Sequence, residues 1–194
     1  MSWAYIFDFD GVLVYTMEAH FACYGQALAE AGVPIDREVF FRHAGMTGRE
    51  QIRYFAEKAG RQVDVDAIYQ RTRELRSAQP PRTDAIACNV ELLRMLRGAG
   101  VPVAIASGSS RPSILPIMAE HGLEVDALVT AEDIRRGKPF PDLFLAAARA
   151  LGARPESCIV IEDSEVGIEA AQRAGMRALR FFDRRRDAEA EDLA

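Results

Sequence analysis

The second half of the chain alternates short apolar segments with amphipathic ones, and this alternation constrains the fold more than any other feature. Strands are predicted near residues 101–107, 126–130, 158–162 and 177–182, and helices near residues 89–98, 112–122, 141–151 and 165–174. Strands that alternate with helices in this way are typical of a parallel sheet covered by helices on both faces. We therefore predict an α/β fold with a doubly wound parallel sheet.

A further apolar run lies at residues 5–14, and it carries two carboxylates one residue apart, Asp8 and Asp10. Side chains alternate along a strand, so we expect both aspartates on one face and Phe7 and Phe9 on the other. Two like charges held close together in a buried position need a cation or a proton to offset them. The pair therefore indicates a divalent metal site, with Mg²⁺ as the expected ion, although an Asp-Gly turn without a function is the alternative.

Three later segments place polar side chains where a strand ends or a helix begins. Ser107 and Gly108 end one predicted strand, and Glu162 and Asp163 end another. Lys138 lies just ahead of a predicted helix. Ligands bind beyond the carboxyl ends of the strands in such sheets, so we expect these groups to converge. A carboxylate nucleophile, a hydroxyl, a lysine and a metal are groups that phosphoryl transfer uses.

Together the four motifs resemble those of the haloacid dehalogenase superfamily, in its branch of β-phosphoglucomutase-like and sugar-phosphate phosphatase members. The resemblance implies that Asp8 is the nucleophile that takes the phosphoryl group, and that Asp10 is the acid/base. It also implies that Ser107, Gly108 and Lys138 bind the phosphoryl oxygens.

The same resemblance implies a Mg²⁺ site. Asp8, Asp163 and the backbone carbonyl of Asp10 would bind the ion, and Glu162 would support them. The implied activity is that of a magnesium-dependent phosphatase, which hydrolyses a small phosphorylated metabolite, a sugar phosphate, through an aspartyl phosphate.

Two alternatives remain open. A phosphosugar mutase resembling β-phosphoglucomutase uses the same groups but returns the phosphoryl group to a sugar hydroxyl. A non-catalytic phosphoacceptor or binding module is the alternative from another class, because fold alone does not fix function. Asp10 speaks against that module, since a pure phosphoacceptor needs no acid/base beside its nucleophile.

Between the first two motifs the hydrophobic period is helical. Helices are predicted at residues 17–32, 36–43, 49–59 and 65–77. We expect residues 16–84 to form a helical cap domain inserted into a catalytic core of residues 1–15 and 85–194. The expected linkers are residues 15–18 and 79–84, the second because it is rich in proline.

Two residues of this cap resemble family positions that serve the substrate. His20 resembles a histidine that couples substrate binding to closure, with a half-buried helix residue as the alternative. Arg49 resembles the arginine with which mutases of the family grip the phosphate remote from the reacting one, with a solvated arginine as the alternative. We interpret Arg76 as part of a solvated helix face.

Composition limits the function classes further. The formal net charge is −5, which argues against a binder of nucleic acid, and no apolar run is long enough to span a membrane. Cys23, Cys88 and Cys158 show no paired spacing and lie among apolar residues, so we expect reduced, buried thiols. We expect a cytoplasmic monomer whose partner is a small phosphorylated metabolite, with a frayed tail at residues 184–194.

Overall fold

A five-stranded sheet organises the part of the chain that the computed structural model describes, residues 3–43, 45–78 and 83–181. Its strands are β1 (Ala4–Phe7), β2 (Val103–Ala106), β3 (Ala127–Val129), β4 (Cys158–Glu162) and β5 (Arg177–Arg180). All neighbouring strands pair in parallel, in the order β3-β2-β1-β4-β5. Because the chain moves outward from β1 in both directions, the sheet is doubly wound as predicted.

Eight α-helices accompany the sheet within the described residues. They are α1 (Met17–Glu30), α2 (Arg37–Arg42), α3 (Gly48–Lys58), α4 (Val65–Ala78), α5 (Ala87–Gly98), α6 (Arg111–Glu120), α7 (Asp142–Ala150) and α8 (Glu165–Arg173). The first four lie between β1 and β2 in the sequence, at the places where a helical period was predicted. The last four follow or precede the strands of the sheet.

Apolar side chains divide into three clusters. One face of the sheet packs against α7 and α8, with Phe144 and Val160 in that cluster. The other face packs against α5 and α6, with Leu93 and Ile105 in the second cluster. Helices α1 to α4 share a third cluster around Phe40. This packing supports the proposed division into a cap of residues 16–84 and a core.

The first strand is shorter than its apolar run suggested. It ends at Phe7, so the two aspartates lie in the turn that follows and not in the strand, and Phe7 and Phe9 pack into the same apolar cluster. The reason is a tight turn: the N–H of Leu13 donates to the carbonyl of Phe9 at 3.0 Å, and Gly11 has a φ of 85°. The turn directs both carboxylates to the carboxyl end of the sheet.

Two other expectations need correction. Helix α1 begins at Met17, as predicted, so the last two residues of the predicted outgoing linker, 15–18, lie in the helix. All three cysteines are free, but only Cys158 is buried; Cys23 is half-buried and Cys88 is exposed. Cys88 is exposed because the first turn of α5 packs Asn89 and Val90 inward instead.

Some expectations fall partly beyond the described residues. The predicted tail at residues 184–194 lies outside them, as do residues 79–82 of the predicted return linker. Among the helices that are described, none has the length and apolar character needed to cross a membrane.

Candidate active site

The polar groups that follow the strands converge at the carboxyl end of the sheet. Asp8 follows β1, Glu162 ends β4, and Lys138 lies in the turn ahead of α7. The ammonium Nζ of Lys138 lies 2.8 Å from Oδ1 of Asp8 and also pairs with Oε1 of Glu162. Ser107 follows β2, and its hydroxyl donates to Oδ2 of Asp10 at 3.0 Å. The structure therefore brings together residues from all four motifs.

Asp8 lies in a fully buried group of charges. Its backbone N–H donates to the carbonyl of Ile161 at 2.9 Å, which fixes the residue at the end of the sheet. Burial raises the pKa of Asp8 well above its usual value, and the neighbouring carboxylates add to this, although Lys138 opposes it. For Lys138, burial alone lowers the pKa, but Asp8 and Glu162 more than offset this, so its pKa is raised and the ammonium stays charged.

Asp10 has a different set of partners, which saturates both of its carboxylate oxygens. Thr16 donates to Oδ1, and Nε2 of His20 lies 3.0 Å from the same atom. Oδ2 accepts from the hydroxyls of Ser107 and of Ser109, the latter at 2.7 Å. Burial raises the pKa of Asp10, but His20 and the hydroxyl donors outweigh it, so the pKa lies well below its usual value. Asp10 is therefore an ionised acceptor.

Three buried acids offer oxygen ligands for a metal ion. Ligand atoms of Asp8, Glu162 and Asp163 all lie within 4.8 Å of one another. Hard carboxylate oxygens are what Mg²⁺ prefers, so the donor set fits the predicted ion. The Asp10 carboxylate is not one of the three; its predicted part in the metal site rests on its backbone carbonyl alone.

The backbone that follows Glu162 holds its carboxylate in the site. The N–H of Ser164 donates to Oε2 of Glu162 at 2.5 Å, while Lys138 pairs with Oε1. The hydroxyl of Ser164 accepts from the N–H of Gly167, and this caps the start of α8. Glu162 is thereby held rigidly between the lysine and the backbone.

A chamber separates these core residues from the helices above. Its lining from the core includes Asp8, Asp10, Gly108 and Ser109, and its lining from the helical segment includes His20, Tyr24, Gln51, Tyr69, Thr72, Arg73 and Arg76. The helical side therefore presents hydroxyls, an amide and positive charge to anything bound against the aspartates.

The two predicted cap residues lie in different environments. His20 is almost fully buried and contacts Asp10 through Nε2. Its pKa is lowered by burial and by the nearby Arg76, whose guanidinium contacts both ring nitrogens, at 2.8 Å from Nε2. Arg49 contacts residues of the helical segment: its Nε bonds Asp66 at 2.7 Å, and its guanidinium lies over the ring of Tyr69, which lines the chamber.

The sequence interpretation missed three residues of this site. Arg76 is bonded to His20 and does not form part of a solvated face, which corrects the earlier interpretation. Thr16 lies one helical turn before His20, a spacing that places both on the same side of α1. Ser109 gave no signal of its own, because serines ahead of a helix most often cap it; here Ser110 holds the cap position of α6.

The family model of the haloacid dehalogenase-like hydrolases matches residues 5–181. The chain belongs to this family. The match spans all four motifs and confirms the resemblance on which their interpretation rests. The residue roles that the resemblance implies remain predictions for this haloacid dehalogenase-like hydrolase.

Relatives of this haloacid dehalogenase-like hydrolase include two named enzymes. Hexitol phosphatase A of Escherichia coli (strain K12) is 30% identical over 177 residues, which cover 90% of this chain and 81% of that protein. Beta-phosphoglucomutase of Bacillus subtilis (strain 168) is 30% identical over 185 residues, with coverage of 91% and 81%. A hydrolase from Pseudomonas syringae has a solved structure that matches with a TM-score of 0.86 at 25% identity, covering 97% of this chain and 90% of that chain.

The environment of Asp10 leads to a test of its charge. We expect Asp10→Asn to lower the free energy of unfolding at pH 7 by about 1–3 kcal/mol, because several hydrogen bonds to a charged group are lost. Since folding lowers the pKa of Asp10, its ionised form stabilises the fold above the ordinary pKa of 3.8, and this stabilisation is lost as the pH falls below that value.

Urea unfolding of both proteins at pH 7 and at successively lower pH checks this expectation. The difference between them should narrow toward pH 4 and below. Asp66→Asn is the matched control, since its exposed pair with Arg49 should contribute less than about 1 kcal/mol. A difference for Asp10→Asn that stays constant with pH would contradict the assignment of a stabilised carboxylate.

Proposed function

We propose that this protein is a Mg²⁺-dependent phosphatase that hydrolyses a small phosphorylated metabolite, a sugar or sugar-alcohol phosphate, through an aspartyl phosphate. One observation carries the proposal: two carboxylates one residue apart have different partners. Asp8 lies beside the buried ammonium of Lys138, whereas Asp10 lies among hydroxyls and an imidazole. Different surroundings let two like groups take different roles in one reaction.

In the first step, a carboxylate oxygen of Asp8 attacks phosphorus, the bond from phosphorus to the substrate oxygen breaks, and an acyl phosphate forms. Lys138 and the hydroxyl of Ser107 would hold the phosphoryl oxygens, because charge on these oxygens is what the site must stabilise. Asp10, which is ionised before the substrate binds, would first take a proton from water and would then give it to the departing alcohol oxygen. The pair of aspartates thereby divides one difficult displacement into two easier ones.

In the second step, water attacks phosphorus and releases phosphate, which regenerates the Asp8 carboxylate. Asp10 takes the proton from this water, and for that it must be ionised. The lowered pKa of Asp10 supports this half of its role. One residue can serve both steps because Asp10 loses its proton in the first step and is then ionised when it must accept a proton in the second.

The buried acids fit a Mg²⁺ ion held by Asp8, Asp163 and the backbone carbonyl of Asp10, with Glu162 behind them. Such an ion, when bound, neutralises negative charge on the transferring phosphoryl group. The chain's own contribution is to hold these carboxylates together at the end of the sheet. Lys138 offsets part of their charge, and the remaining negative charge favours a cation.

The relatives include both a phosphatase and a mutase, and we propose the phosphatase. A mutase must hold a second phosphate, and Arg49 was the residue predicted to grip it. In the structure Arg49 bonds the exposed Asp66 and lies over the ring of Tyr69, and its role toward a substrate stays a prediction. A phosphosugar mutase remains the second candidate, supported by the 30% identity to beta-phosphoglucomutase.

A phosphorus NMR time course tests the proposed function. The protein is incubated with Mg²⁺ and a panel of hexose, pentose and hexitol phosphates, together with p-nitrophenyl phosphate. We expect free phosphate to accumulate, to stop when the metal is removed with EDTA, and to be absent with Asp8→Asn as the matched blank. Interconversion of phosphoesters without free phosphate would identify a mutase instead, and no reaction with any ester would contradict both enzyme proposals.

The chain offers a well-matched test of Lys138, because Lys58 is its one other lysine. Lys138 is almost completely buried and Lys58 is exposed. We expect Lys138→Ala to lower kcat by about a hundredfold or more, since it removes a charged contact to the transferring group. Lys58→Ala should leave kcat unchanged in the same assay. Equal, small effects of the two substitutions would show that Lys138 has no part in the reaction.

A further inference from the structure

The turn that leads into α3 approaches two active-site turns of the core very closely. A Cβ on Gly108 would lie 2.8 Å from the carbonyl oxygen of Gly45. A Cβ on Gly137 would lie 2.2 Å from Oε2 of Glu50. Side chains at these positions would push the two parts of the molecule apart, so the glycines permit direct contact between the helical segment and the core.

Glu50 makes the polar contact across this approach. Its Oε1 accepts the backbone N–H of Gly137 at 2.9 Å, and Gly137 directly precedes Lys138. Its Oε2 accepts from the backbone N–H of Thr47 at 3.0 Å and from the Thr47 hydroxyl at 2.6 Å. One carboxylate therefore joins the first turn of α3 to the turn that carries the buried lysine.

The position of this contact matters because Lys138 has little freedom of its own. Its ammonium must meet Asp8 and Glu162 at the same time, and its backbone is set by the turn that Gly137 begins. A backbone N–H bonded to a carboxylate is a charge-assisted hydrogen bond, which is stronger than one between neutral groups. Glu50 is thus placed to fix the backbone from which the lysine extends.

We propose that Glu50 is a positioning residue. When the turn that leads into α3 packs over the site, the Glu50 carboxylate bonds Gly137 and thereby holds the Gly137–Lys138 turn in the correct position. The inference rests on the proposed function, in which Lys138 holds the transferring phosphoryl group. Without Glu50 the turn is free to shift, and the lysine meets the phosphoryl oxygens less often in the productive geometry.

A purely structural role for Glu50 has a distinct signature. Thr47 and Glu50 form a reciprocal capping box at the start of α3. Thr47→Ala removes the hydroxyl that donates to Oε2 of Glu50, but the backbone N–H groups of Thr47 and Gly137 can still donate to the carboxylate. If capping were the only role of Glu50, then Thr47→Ala and Glu50→Ala would affect activity alike.

Steady-state hydrolysis of p-nitrophenyl phosphate with Mg²⁺ separates the two roles. We expect Glu50→Ala to lower kcat by about tenfold or more with little change in KM, because a small misplacement of a catalytic group is costly. The kcat of Glu50→Gln should lie between those of Glu50→Ala and the parent protein, since the one amide oxygen can still accept from the N–H of Gly137. Thr47→Ala should lower the melting temperature but keep kcat within about twofold of the parent protein. An equal fall in kcat for Thr47→Ala and Glu50→Ala would overturn the proposal.

Hydrogen exchange measured by mass spectrometry tests the contact without any turnover. Peptides that cover residues 134–141 should exchange faster in Glu50→Ala than in the parent protein, and at the parent rate in Thr47→Ala. Unchanged exchange in Glu50→Ala would overturn the proposal. Absence of hydrolysis by the parent protein would instead count against the proposed function, while the exchange result still decides whether the contact exists.

A rescue experiment is needed if Glu50→Ala or Thr47→Ala is too unstable for its kcat to be compared with that of the parent protein. Gly137→Ala should lower the rate of hydrolysis, because its Cβ would lie 2.2 Å from Oε2 of Glu50 and 3.0 Å from the backbone N of Thr47, and only the first of these contacts is removed with Glu50. The double variant Gly137→Ala/Glu50→Ala should recover part of the activity that Gly137→Ala loses. Losses that simply multiply would overturn the coupling between these two positions.

Discussion

The ion pairs of Lys138 with Asp8 and Glu162 are the interaction on which the rest of the site depends. All three side chains are buried, and a buried charge without a partner is strongly destabilising. The ion pairs therefore hold the ends of β1 and β4 against the turn that precedes α7. The parallel sheet makes this meeting possible, because its strands all end at the same edge.

Charge balance also explains why adjacent carboxylates differ. Three acids, Asp8, Glu162 and Asp163, lie close together, and the ammonium of Lys138 pairs with the first two, so the group retains negative charge that a divalent cation would offset. Asp10 instead contacts the hydroxyls of Ser107 and Ser109 and the ring of His20, which stabilise its ionised form. The short turn after β1 produces this separation, since it ends the strand before either aspartate.

The sequence predicted the sheet, its helices and the convergence of the motifs, because hydrophobic period and the parallel arrangement constrain them strongly. It did not predict which polar residues from the helical segment face the aspartates. Arg76 and Arg49 both lie on helices rich in charge, yet Arg76 contacts His20 and Arg49 contacts Asp66. Such choices depend on how α1, α3 and α4 pack against the core, and a periodic pattern carries no information about that packing.

Trapping of the intermediate tests the division of roles between the two aspartates most directly. Asp10→Asn protein is incubated with Mg²⁺ and acetyl phosphate, whose leaving group needs no general acid, and then reduced with borohydride before peptide mapping. We expect homoserine in place of aspartate at position 8, because Asp8 forms the acyl phosphate and water attack is slow without Asp10. An unmodified Asp8, or label at another residue, would contradict the account.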